Sequence, residues 1–139
     1  MKNAVRYYSR SGNTRTAAEA IARAIGTDAV SVDSASASLQ EPVDVLFIGG
    51  ALYAYGIDKH LKAYLGSLKK DQVKKAVVFS TSWISKHAID LIKDELNRKG
   101  IPVEKETLYF RGKPGEKQLQ DAANVARRLM KTDGQEGRF

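Results

Sequence analysis

The sequence predicts a single α/β domain built on a parallel sheet of five strands, with helices on both faces. Three observations carry that expectation. Short apolar runs at residues 4–8, 29–32, 43–48, 76–80 and 103–110 alternate with stretches whose apolar residues recur at helical spacing. The run Val43-Asp44-Val45-Leu46-Phe47-Ile48 is nearly continuous in apolar residues, as in a strand covered on both faces. Strands that alternate with helices over 139 residues imply one doubly covered parallel sheet with right-handed crossovers, and leave no length for a second domain.

Taken in order, the first strand ends at Tyr8, and a helix follows with Ala17, Ala18, Ile21, Ala22 and Ile25 on one stripe and Gly26 as its stop. Ala29-Val30-Ser31-Val32 reads as a short second strand. The aperiodic run Ser34-Ala35-Ser36-Ala37-Ser38 reads as a loop or short helix crossing over the first strand. The third strand is expected to break at Gly49-Gly50. Asp58 caps the next helix, which carries Leu61, Tyr64, Leu65 and Leu68. A lysine-rich turn over residues 69–75 leads to the fourth strand. Ser85 is then placed to cap a helix with Ala88, Ile89, Ile92 and Leu96, ended by Gly100 and Pro102. The last strand is more polar near its start, which suits a sheet edge. Leu119, Ala122, Ala123, Ala126, Leu129 and Met130 mark the final helix. The domain is expected to fill residues 1–132, with 133–139 as a frayed, flexible tail.

Composition removes several classes of function. There is no cysteine, hence no disulfide, no thiolate iron–sulfur ligation and no cysteine nucleophile of the small tyrosine-phosphatase kind. No run of 18 apolar residues and no charged-then-apolar leader occur, so a cytoplasmic protein without membrane insertion is expected. The net charge of +7 invites a nucleic-acid reading, but aromatics are not interleaved with the lysines and no recognition motif is present; no nucleic-acid partner is expected. A P-loop would need Gly-Lys-Ser/Thr where Gly12-Asn13-Thr14 stands, and a receiver domain would need acids where Tyr8-Ser9 and Gly49-Gly50 stand. No metal-ligand spacing and no pair of catalytic carboxylates stands out.

Chemistry concentrates in the loop Ser9-Arg10-Ser11-Gly12-Asn13-Thr14 between the first strand and helix. It offers three hydroxyls, a permissive glycine and the unpaired N–H groups of a helix start, which suits a phosphate held without lysine or metal. Two further loops leave the same edge of a parallel sheet. One is Ala51-Leu52-Tyr53-Ala54-Tyr55-Gly56; the other, Thr81-Ser82-Trp83, holds the sole tryptophan. Their aromatics suit the stacking of a flat heteroaromatic ring.

The order Ser-x-Ser-Gly-Asn-Thr between an apolar strand and an alanine-rich helix resembles the phosphate loop of the flavodoxins. The likeness extends over nearly the whole chain, through Gly-Gly-x-x-Tyr after the third strand, Ser-Thr-Ser-Trp after the fourth and Phe110-Arg111-Gly112-Lys113 after the fifth. It is to the short-chain members, because no insertion divides the last strand. The resemblance implies the doubly wound strand order 2-1-3-4-5 and a non-covalent FMN, with its phosphate on residues 9–14 and its ring among residues 51–56 and 81–83. It also implies a flexible peptide beside the ring, for which Tyr55-Gly56 is the candidate. The function implied is one-electron transfer between redox partners. The alternative is an FMN-dependent oxidoreductase acting on a small molecule, similar to protoporphyrinogen dehydrogenases or quinone reductases, and a third reading is a flavin-free binding module. Two features depart from the family pattern. Arg6 stands where an aliphatic strand residue is usual, and Arg10, Lys59, Lys62, Lys86, Arg111 and Lys113 give the ligand edge a basic rim that suits an acidic redox partner.

Overall fold

The computed structural model describes residues 2–83 and 85–136. Five strands, β1 (Asn3–Tyr7), β2 (Ala29–Ser31), β3 (Val43–Ala51), β4 (Val73–Thr81) and β5 (Leu108–Phe110), pair in parallel in the order β2-β1-β3-β4-β5. Among the described residues three helices lie between strands, α1 (Asn13–Ile25), α2 (Lys59–Ser67) and α3 (His87–Arg98), and α4 (Glu116–Glu136) follows β5. Short 3-10 turns cover Ala35–Ala37 and Lys70–Gln72.

The two faces of the sheet bury separate cores because strand side chains alternate. Val5, Val45, Phe47, Val77 and Phe79 pack with α1 and α4, while Ala4, Leu46, Ile48, Ala76 and Val78 pack with α2 and α3. The helical stripes expected from the sequence are the buried ones, including Ala17, Ala18 and Ile21 of α1 and Ala88, Ile89, Ile92 and Leu96 of α3. Gly26 ends α1 with φ 74°.

Four details differ from expectation. Gly49 and Gly50 do not break β3, which runs on to Ala51. They are there for packing: a Cβ on Gly49 would come within 2.4 Å of the Phe79 ring, and one on Gly50 within 2.5 Å of Leu61 Cδ2. The fifth strand is shorter than the apolar run suggests, since residues 103–107 touch the sheet through one bridge, Ala76 to Val103, before β5 pairs with β4. The cap of α3 falls on Lys86, although Ser85 Oγ still accepts from the His87 N–H at 3.2 Å. The helix α4 continues to Glu136, past the start expected for a tail; residues 137–139 of that tail lie outside the described residues.

Candidate functional site

The loops that leave β1, β3, β4 and β5 at their C-terminal ends meet on one edge of the sheet. Gly12 sits at the N-cap of α1 with φ 94°, a left-handed conformation that favours glycine. Its carbonyl accepts from both the N–H and the hydroxyl of Thr16, each at 3.0 Å. Ser9 Oγ accepts from the Gly12 N–H at 3.0 Å and Ser11 Oγ from the Asn13 N–H at 3.4 Å. Each hydroxyl thus uses a lone pair inward and keeps its proton to donate outward. Among the described residues the N–H groups of Thr14 and Arg15 have no acceptor, as the first turn of a helix dictates, and that of Ser11, just ahead of the cap, has none either. Outward hydroxyl protons, free amides and the positive end of the α1 dipole form a donor set for an anion.

Thr14 has a different task from its neighbours. It is 1% exposed, and its hydroxyl meets that of Thr81 at 2.6 Å, which ties the loop to the end of β4. Ser82, at the head of the next loop, is held from two sides. Its N–H donates to Phe110 O at 3.0 Å and its carbonyl accepts from Tyr109 Oη at 2.7 Å.

A cleft of about 180 Å³ opens between these loops, lined by Ser11, Asn13, Ala51, Leu52, Tyr53, Thr81, Ser82, Trp83 and Gly112. It brings together eight of the residues singled out from the sequence, drawn from three separate loops. Gly112 was missed as a site residue. Its φ of 76° and its closeness to Trp83, whose ring would lie 2.2 Å from a Cβ there, make it the platform on which the indole rests. The signal available was a glycine just beyond the last strand, at the same sheet edge as the other loops.

Arg10, Ala54, Tyr55 and Gly56 do not line that cleft. Residues 53–56 close a tight turn, with Tyr53 N–H to Gly56 O at 2.8 Å and Gly56 N–H to Tyr53 O at 3.0 Å. The Tyr55-Gly56 peptide is therefore held by its N–H, and Tyr55 and Gly56 face a separate recess with Lys62 and Leu91. Arg10 turns away from its own loop. Its guanidinium lies 3.9 Å from the Tyr53 ring centroid, bonds the Tyr55 hydroxyl, and meets Asp58 Oδ2 at 2.6 Å. That bond to Asp58, and next the one to Tyr55, raise the Arg10 pKa further above its ordinary value. Arg10 thus backs Tyr53, whose ring forms one wall of the cleft.

Asp58 is the anchor of this arrangement. It is 3% exposed and caps α2, accepting from the His60 N–H at 2.7 Å, while His60 Nδ1 lies 2.8 Å from the same oxygen. Burial pushes its carboxyl upward, but the His60 N–H and the Arg10 guanidinium outweigh burial and hold it below the usual carboxylate range. His60 in turn stacks on Tyr8, centroid to centroid at 5.0 Å. Burial raises the Tyr53 hydroxyl, so it stays protonated and neutral at pH 7.

Charge is unevenly spread over the two ends of the sheet. At the N-terminal ends of the strands Lys2 pairs with Glu41, Lys74 with Asp44, Lys75 with Glu104 and Arg128 with Glu106. At the C-terminal edge Lys59, Lys62, Lys86, Arg111 and Lys113 have no acidic partner among the described residues. The exposed large apolar side chains, Tyr55 and Trp83, each 66% exposed, lie at that same edge. No group of His, Asp or Glu among the described residues is arranged to hold a metal, and no helix there is long and apolar enough to cross a membrane.

A family model described as a flavodoxin domain matches residues 4–134. Among solved structures, the chain is similar to a flavodoxin from the domain Archaea, with 25% identity, a TM-score of 0.74, and 96% of this chain and 99% of that one covered. It is also similar to oxidised flavodoxin 1 from Bacillus cereus, at 22% identity and a TM-score of 0.77, over 94% and 98% of the two chains. Rubredoxin oxygen:oxidoreductase from Desulfovibrio gigas shares the fold at 15% identity and a TM-score of 0.78, over 95% of this chain but 36% of that one. No curated protein sequence matches.

Proposed function

The chain belongs to the flavodoxin family, and from that premise we propose that it binds FMN without a covalent bond and passes electrons one at a time between redox partners. The observation that carries this reading is the convergence of an anion cradle and an aromatic-walled cleft on one sheet edge. The phosphate rests on residues 9–14, through the hydroxyls of Ser9 and Ser11, the Asn13 side chain and the free amides about Gly12. The ring enters the cleft among Ala51, Leu52, Tyr53, Thr81, Ser82 and Trp83. Thr14 contributes its N–H, because its hydroxyl is committed to Thr81. Arg10, Ala54, Tyr55 and Gly56 would support the site from outside the cleft, Arg10 by stacking on Tyr53.

When bound, FMN supplies the redox chemistry; the chain holds it, walls off one side from water and sets the field around it. The unpaired cations at this edge favour a negatively charged reduced cofactor and an acidic partner surface, with the exposed Tyr55 and Trp83 as apolar contacts. The expected setting is the cytoplasm. The same basic rim supports a second reading, an FMN-dependent oxidoreductase whose small substrate carries carboxylates.

The test is the visible spectrum of protein purified without added cofactor, followed by anaerobic titration with dithionite. Yellow protein that develops long-wavelength absorbance at one electron per flavin supports the carrier. Direct bleaching over two electrons favours the oxidoreductase. A colourless protein that refuses added FMN overturns both.

A further inference from the structure

Arg6 of β1 presents a charge that the cofactor edge does not use. It is 9% exposed, on the face of the sheet that packs with α2. Its Nε donates to Ala37 O at 2.7 Å and its Nη1 to Val5 O at 3.1 Å, while Tyr64 Oη donates to the same Ala37 carbonyl at 2.7 Å. These acceptors are neutral. Among the described residues no carboxylate pairs with Arg6. A guanidinium stays charged at any physiological pH and has five N–H groups to satisfy, so its removal from water with no anion beside it is costly.

A cleft of about 430 Å³ opens against this residue, and Lys2, Asn3, Ser36, Ser38, Gln40 and one acid, Glu41, share its lining. Ala37 stands between the two serines, so the bond from Nε to its carbonyl brings the guanidinium to the segment that carries them, where the Ser36 hydroxyl also meets that of Ser34 at 2.9 Å. Lys2 is already neutralised by Glu41, which leaves Arg6 as the uncompensated charge of the cleft. The cleft lies at the N-terminal ends of β1 and β3, the edge of the sheet opposite residues 9–14. We infer that it is a binding site for a small oxyanion, a carboxylate or a phosphate, held by the Arg6 N–H groups that Ala37 and Val5 do not take, with Ser36 and Ser38. Planar, charge-assisted hydrogen bonds of this kind are what arginine offers to such groups. The site stands independently of the FMN reading, because no residue of the cofactor cleft takes part in it.

The experiment follows the Arg6 Nε–H resonance by proton–nitrogen NMR in the full chain, assigned by its absence from Arg6→Lys, as inorganic phosphate or acetate is added. A saturable shift with half-saturation at about 1 mM is expected, whether or not FMN is present, and Ser36→Ala/Ser38→Ala should weaken it about tenfold. Because both serines are exposed, that double variant keeps the fold even if changes at Arg6 do not. Saturation by phosphate with none by acetate assigns a phosphate ligand, and the reverse a carboxylate. A shift that rises linearly and is matched by chloride, an adventitious ion only, overturns the proposal; so does an unchanged affinity in the serine variant.

Discussion

Asp58→Ala tests whether one buried carboxylate holds the turn over residues 53–56 in place. The carboxylate caps α2 through the His60 N–H at 2.7 Å and receives the Arg10 guanidinium at 2.6 Å. Removal of an aspartate N-cap costs about 1–2 kcal/mol, which for a domain of this size lowers the melting temperature by roughly 3–7 °C. Asp58→Asn keeps an oxygen for the His60 N–H but loses the charge, and should fall between wild type and alanine. The pH dependence separates the two contributions. Because hydrogen bonds hold the folded pKa of Asp58 below its unfolded value of about 3.9, its charged form adds stability above that pH. That contribution is lost as pH falls through the lower, folded pKa. The gap between wild type and Asp58→Asn in urea melts should therefore be constant from about pH 7 to 5 and close below about pH 4. A gap that persists at the lowest pH, or an alanine variant within about 0.3 kcal/mol of wild type, would refute the assignment of Asp58 as the anchor.

Thr14→Val and Thr81→Val each leave one buried hydroxyl without its partner and should cost about 1–3 kcal/mol in chemical denaturation, whereas the double variant should recover most of the loss; additive losses would mean that the two hydroxyls do not act as a pair. Gly112→Ala places a Cβ 2.2 Å from the Trp83 ring and strains a φ of 76°, so the indole must move. FMN affinity, read by quenching of flavin fluorescence, should fall at least about tenfold, and unchanged affinity would remove Trp83 from the cleft wall. Replacing Lys86 and Arg111 with Gln should lower the two-electron midpoint potential, since one net charge at about 8 Å is worth roughly 2 kcal/mol before screening. The change should shrink with added salt; a potential that ignores both charge and salt would remove the basic rim from the tuning of the cofactor.

The sequence by itself determined the class of fold, the order of its elements and the loop that carries the anion donors. Those features rest on local chemistry: periodicities of two and 3.6 residues, caps, and the hydroxyls and glycine crowded into residues 9–14. Gly49-Gly50 shows where local reading stops. A glycine pair looks like a break, and only the Phe79 ring and Leu61 side chain against the two faces reveal that β3 continues and needs the missing side chains. Which residues share the cleft was likewise decided in three dimensions. Tyr53 and Tyr55 are equivalent in sequence terms, yet the turn between them sends one to the cleft and the other to solvent. Arg10 belongs to the phosphate loop by position but to Asp58, 48 residues away, by charge. Arg6 is set by contacts with a crossover segment 31 residues later. Propensity and pattern act over a few residues, whereas ion pairs, stacking and close backbone approach are settled only when distant strands come to lie side by side.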